Sequence, residues 1–135
     1  MKEICVSAVT ENLPKVMEFI DSELESMDCP FKAQSQIDIA VDELYANIAS
    51  YAYNPEEGPV TVRVEVVEEP LSVVITFIDN GVPYDPLAKD DPDVTLSAEE
   101  RNIGGLGIFL TKKLMDDIEY TYNNGSNILT IKKNI

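Results

Sequence analysis

The stretch DELYANIASYAYNPEEGPVTVRVEV, residues 42–66, changes its hydrophobic period part-way along. Its first half continues a segment beginning FKAQSQ, in which Ile37, Val41, Leu44, Ile48 and Tyr51 or Ala52 recur every three or four residues. That spacing predicts a long amphipathic helix, and NPEEGP stops it. Immediately afterwards Val60, Val62, Val64 and Val66 alternate with Thr61, Arg63 and Glu65, as in an antiparallel strand with one wet face. A helix running into a one-sided strand predicts an α/β (α+β) two-layer sandwich: a mainly antiparallel sheet covered on one face by about three helices.

The flanks fit this plan. Upstream, KEICVSAV suits an edge strand, and TENLPKVMEFIDSELESM places Val16, Ile20 and Leu24 at helical spacing with Phe19 beside them. Downstream, LSVVITFID follows a short EEP turn as the partner strand. DIEYTY and SNILTIKK flank Asn123-Asn124-Gly125, and Asn-Gly is a strong short hairpin signal. With 135 residues and no linker, repeat or low-complexity tract, a single domain over residues 1–135 is expected.

Composition excludes several chemistries. A formal net charge of −15, with ten scattered Lys and Arg residues, disfavours direct nucleic-acid binding. Histidine is absent, which removes His-based triads and His metal sites. Cys5 and Cys29 lack metal-ligand spacing and read as idle thiols. No apolar run approaches the roughly 18 residues that span a bilayer, and the start lacks a secretory signal pattern, so a cytoplasmic protein without membrane contact is expected.

Three places draw attention as chemistry. Asp79 shares strand parity with Leu71, Val73, Ile75 and Phe77, so a carboxylate ends an apolar row that faces the helices. Such a residue either caps the following NGVP turn or accepts hydrogen bonds from a ligand's amino group. On the long helix Glu43 and Asn47 lie four residues apart on a rim row with Gln36, Ala40 and Ser50. They are either a solvated helix edge or a pair in which an amide oxygen enters a magnesium shell and a carboxylate draws a proton from an attacking hydroxyl. In GGLGIFL, residues 104–110, Gly104, Gly105 and Gly107 lie at the entry to a further helix, whose apolar stripe reads as Leu110, Leu114 and Ile118. Bare amides at a helix start favour phosphate, while tight helix-to-strand packing explains the same glycines.

Taken together and in order, DELYANIASYAY, DNGVPYDP and GGLGIFLTKKLMDDIEY closely resemble the asparagine box and the two glycine boxes of the GHKL ATPase superfamily, most nearly its bacterial anti-sigma factor serine kinases. The resemblance implies the Bergerat sandwich, with Glu43 as general base and Asn47 as magnesium ligand. It implies that Asp79 binds the adenine amino group and that Gly81 lets the base lie close. Gly104, Gly105, Leu106 and Gly107 would surround the phosphates of ATP, and residues 84–103 would form a nucleotide lid. The partners implied are a sigma factor and an antagonist protein with a phosphorylatable serine; relatives form homodimers, although no dimer surface is marked here. An ATP-gated binding module without transfer activity is the alternative.

The match has departures. Pro83 stands where many members have a second glycine, in a GxPxDP form known among partner-switching relatives, and Tyr51 stands where some carry histidine. The lid segment offers Lys89 and Arg101 beside Asp90, Asp91, Asp93, Glu99 and Glu100, and Ser97 with Glu100 has the spacing of a capping box for one short helix.

Overall fold

The computed structural model describes residues 1–53, 56–68, 70–87 and 105–135, with only the helical backbone at 105–107. Its elements run β1 (Lys2–Ser7), α1 (Leu13–Ser26), α2 (Phe31–Tyr51), β2 (Pro59–Val67), β3 (Ser72–Asp79), α3 (Gly105–Leu114), β4 (Asp117–Asn123) and β5 (Ser126–Asn134). The strands form one sheet in the order β1-β2-β3-β5-β4, with every neighbouring pair antiparallel. β1 is an edge strand, as its short polar-flanked sequence suggests.

One face of the sheet is apolar and carries the helices. Val60, Val62 and Val64 of β2, Val73, Ile75 and Phe77 of β3, and Leu129 and Ile131 of β5 are buried there against Val16, Ile20 and Leu24 of α1 and Ile37, Val41 and Leu44 of α2. Fully burying each such side chain is worth roughly 1.5–3 kcal/mol, so this layer is the main source of stability. On the other face Thr61, Arg63, Thr76, Thr130 and Lys132 alternate with these beside a few half-buried apolar residues such as Val74 and Ile78; Arg63 donates to Glu3, its register partner, at 2.7 Å. Tyr45 is fully buried in α2, and its hydroxyl donates to the backbone oxygen of Val9 at 2.7 Å, which ties the helix to the chain leaving β1.

The predicted elements reappear with local corrections. Val66 is exposed because the valine row of β2 outruns the helical cover, and Leu71 lies exposed just outside β3. At the end of α2, Ala52 is buried while Tyr51 points outward. The rim row is deeper than its sequence suggests: Ala40 is fully buried, and Glu43 and Asn47 are half-buried. The stripe expected in the third helix holds only in part, since Leu114 and Ile118 pack against the core but Leu110 does not. α3 ends at Leu114, Ile118 belongs to β4, and Leu110 is exposed, whereas Ile108, Thr111 and Met115 face inward. A helix of ten residues is too short to carry the longer stripe, so Ile118 meets the core from β4 instead. The β4–β5 hairpin turns at Asn124 and Gly125, whose φ angles of 53° and 81° suit the tight turn that Asn-Gly predicts.

Candidate functional site

At one end of the sheet a cleft opens between the last turns of α2 and the ends of β3, β4 and β5. Its α2 wall is Leu44, Asn47, Ile48, Tyr51 and Ala52; its floor includes Phe77, Asp79 and Leu129; Val82, Tyr84 and Pro86 close the far side. The lining is mostly apolar with a few convergent polar groups, the composition expected for a flat aromatic ligand.

Asp79 ends the buried row of β3 and is only 5% exposed. Both readings of this residue have a place in the geometry. Its Oδ1 accepts from Gly81 N at 2.9 Å, which is the turn cap, and from Asn127 Nδ2, also at 2.9 Å. Among the described residues Oδ2 receives no hydrogen bond, and the side chain lines the cleft, so one acceptor remains for a ligand donor.

Gly81 has a reason of its own to lack a side chain. A Cβ there would lie 2.2 Å from the backbone oxygen of Ala52, and the next residue, Val82, donates its N–H to that oxygen at 3.0 Å. The glycine lets the segment leaving β3 dock on the end of α2. Nearby, the Tyr53 hydroxyl accepts from Asn80 N at 2.7 Å and donates to Pro59 O at 2.6 Å, which fixes the same corner from the other side.

Asn47 lines the cleft, and its amide nitrogen is buried without a hydrogen-bond partner. A buried amide end without a partner is costly unless a ligand meets it, and half a turn of the amide exchanges its donor for its acceptor. The residue therefore suits a cation shell completed by phosphate oxygens and water. That mode suits magnesium, which rarely uses an all-protein cage, and no group of three or more His, Cys, Asp or Glu able to hold a metal occurs among the described residues. Glu43 lies one helical turn away from Asn47 and outside the cleft lining. Burial, with Asp42 beside it, raises its carboxyl above the usual glutamate range.

The glycine cluster is split by what the structure describes. Gly105, Leu106 and Gly107 form the first turn of α3, which packs on α2, so the expected helix entry is present. Gly104, the remainder of the lid segment beyond Leu87, both of its cations and the Ser97–Glu100 capping box lie outside the described residues.

Sequence reading missed Asn127 and the aromatic pair. Asn127 stands directly opposite Asp79 in the β3–β5 register and is buried. The signal was available, since Asn127 ends the apolar row of Leu129 and Ile131 just as Asp79 ends that of Ile75 and Phe77. Tyr51 and Tyr84 stack at the cleft, which gives Tyr51 the physical role that its position in the sequence did not reveal.

A one-faced antiparallel sheet under three helices, with a carboxylate and an amide facing one cleft, is an α/β sandwich consistent with the GHKL ATPase fold. The chain belongs to the histidine kinase-like ATPase domain family, which matches residues 6–133. Among curated proteins it is similar to serine-protein kinase RsbW of Listeria monocytogenes serovar 1/2a, at 35% identity over 107 residues, covering 76% of this chain and 67% of that protein. It is also similar to serine-protein kinase RsbW of Bacillus cereus, at 33% identity over 98 residues, covering 70% of this chain and 60% of that protein. In fold it resembles the histidine kinase domain of the Erythrobacter litoralis EL346 blue-light activated histidine kinase, with a TM-score of 0.56 and 18% identity. That match covers 90% of this chain and 60% of the solved one. No helix among the described residues is long and apolar enough to cross a membrane.

Proposed function

We propose that this chain binds ATP with magnesium in the cleft and transfers the terminal phosphoryl group to a serine of an anti-sigma factor antagonist, and that it also sequesters a sigma factor. The observation that carries the reading is the pairing, in one cleft, of a buried carboxylate with one oxygen left over and a buried amide with an unpartnered end. The first suits an adenine amino group and the second suits the metal side of a triphosphate. The similarity to serine-protein kinases supports the choice of serine as acceptor.

The chain needs no nucleophile of its own. The serine oxygen of the partner attacks the γ-phosphorus, the bond from phosphorus to the β–γ bridging oxygen breaks, and ADP leaves with that electron pair. Glu43 takes the hydroxyl proton, and its raised pKa brings it closer to the working pH of a base. Asp79 would orient the adenine, Asn47 would hold the metal, and the first turn of α3 would offer N–H groups to phosphate oxygens. Magnesium, when bound, supplies neutralisation of the phosphate charge. Partner exchange between sigma factor and antagonist then follows nucleotide state.

One observation favours a second reading, an ATP-gated binding module without transfer: Glu43 does not line the cleft. Incubation with labelled ATP, magnesium and candidate antagonist proteins separates the two. Phosphoserine on the antagonist is the expected result. Tight complexes that never acquire label would replace the kinase with the module, and calorimetry showing no ATP binding at millimolar concentration would remove both.

A further inference from the structure

We infer that Asn127 is a positioning residue for purine recognition, holding Asp79 so that one carboxylate oxygen is reserved for the ligand and pinning the far wall of the cleft to its floor. The inference rests on the nucleotide reading above and deepens it. A carboxamide offers two N–H donors and two acceptor directions. Asn127 uses all of them inside the protein: Nδ2 donates to Asp79 Oδ1 at 2.9 Å and to Val82 O at 2.8 Å, while Oδ1 accepts from Tyr84 N at 3.2 Å and from the Tyr120 hydroxyl. Nothing is left over for a ligand. Asn127 acts through its neighbours.

Two consequences follow. With Gly81 N and Asn127 Nδ2 both on Oδ1, the cleft is offered Oδ2, an oxygen that only accepts. Such an oxygen favours a purine carrying an amino group at that edge over one carrying a carbonyl. The other arm sets the width. Val82 and Tyr84 both line the cleft, and their backbone is held by the same amide that holds Asp79, so the wall and the recognition oxygen move together or not at all. Asn127 itself is only 6% exposed, and away from water each of its bonds counts for more and each orphan costs more.

Two variants of the full chain test this, read by equilibrium binding of ATP and GTP with magnesium. Asn127→Leu preserves volume and removes every one of these side-chain hydrogen bonds. ATP affinity is expected to fall about tenfold while the preference for ATP over GTP shrinks, and in phosphoryl transfer KM rises more than kcat falls. Asn127→Asp preserves shape but sets a second carboxylate against Asp79, and facing carboxylates share a proton. Its ATP affinity is expected to be about tenfold below the parent at about pH 8 and to recover towards the parent at about pH 6, where the protonated oxygen again donates to Asp79. Parent-like ATP affinity in either folded variant, or equal loss of ATP and GTP in Asn127→Leu, overturns the inference. If Asn127→Leu does not fold, the Asp variant decides alone, and a weakness independent of pH overturns it. A parent protein that binds no ATP counts against the nucleotide reading itself.

Discussion

Tyr51 and Tyr84 stack with ring centroids 5.5 Å apart and planes inclined by 28°, joining the end of α2 to the segment that leaves β3. Tyr51 is 49% exposed, so the stack contributes to the shape of the cleft mouth more than to the core. Aromatic pairs of this kind are worth about 0.5–1.5 kcal/mol. Tyr51→Ala is therefore expected to leave the melting temperature within a few degrees of the parent and to weaken ATP binding by about two- to tenfold, as measured by calorimetry. A substitution without effect on affinity would make the stack incidental to the cleft.

Asp79→Asn separates the turn cap from the ligand acceptor. The new amide oxygen can still accept from Gly81 N and Asn127 Nδ2, but an NH2 group then takes the place of Oδ2 and opposes the adenine amine. The fold should survive while ATP affinity falls by about thirtyfold, or about 2 kcal/mol. Parent-like binding would leave Asp79 as a turn cap only.

Glu43 and Asn47 should divide chemistry from binding. Asn47→Ala is expected to lower ATP affinity with magnesium present and to change it less in chelator. Glu43→Gln is expected to bind ATP and sigma factor like the parent while serine phosphorylation falls by about 10²-fold or more. Because the Glu43 carboxyl is raised, the parent rate should fall on the acid side at a pH above that of an ordinary glutamate, and the variant should lack that limb. An active Glu43→Gln enzyme would remove Glu43 from the base role.

Gly81→Ala introduces a methyl group where only 2.2 Å separates it from the backbone oxygen of Ala52, an atom that cannot swing aside. A loss of roughly 1–3 kcal/mol is expected from denaturant unfolding, accompanied by weaker ATP binding as the Val82–Ala52 bond shifts. Unchanged stability would mean that this corner repacks freely.

Away from the cleft, Asp38 of α2 meets Asp21 and Glu25 of α1, and Gln34 donates to Asp21 at 3.2 Å. Burial, a hydrogen bond with Asp21 and the charges of Asp21 and Glu25 push the Asp38 carboxyl up to about 7. The folded chain thus keeps a proton that the unfolded chain releases nearer 3.8. Stability from this group is present at acid pH and is lost as pH rises through about 7. Asp38→Asn should flatten that decline, seen as a smaller drop in Tm between about pH 5 and about pH 8 than the parent shows. Equal slopes would mean that Asp38 ionises normally.

The long helix, the valine alternation and the Asn-Gly hairpin were legible because each is a local pattern: one period, one turn signal, one stretch of chain. Asp79 could be read for the same reason, as a polar residue closing an apolar row. Asn127 could not be joined to it from sequence spacing, since their pairing depends on the β3–β5 register across a long connection. The partial failure at α3 has a similar origin. Leu110 and Leu114 have helical spacing, but which side of so short a helix meets the core is decided by tertiary packing, which turned Ile108, Thr111 and Met115 inward, left Leu114 half-buried beside them and exposed Leu110. Gly81 shows the limit in the other direction: its need for a bare Cα comes from a helix end almost thirty residues earlier in the chain.

The pairing of β3 with β5 bears on how the protein acquires its site. Contacts between residues far apart in sequence pay loop-closure entropy before they return any stabilisation, and they set the pace of folding. Asp79 and Asn127 meet only after both strands are in register, whereas the β4–β5 hairpin and the helices can form from nearby residues. Nucleotide binding would therefore mark the last stage of refolding rather than the first. A ligand that binds only this completed state shifts the folding equilibrium towards it, so ATP would protect the chain from unfolding to the extent that it saturates the cleft.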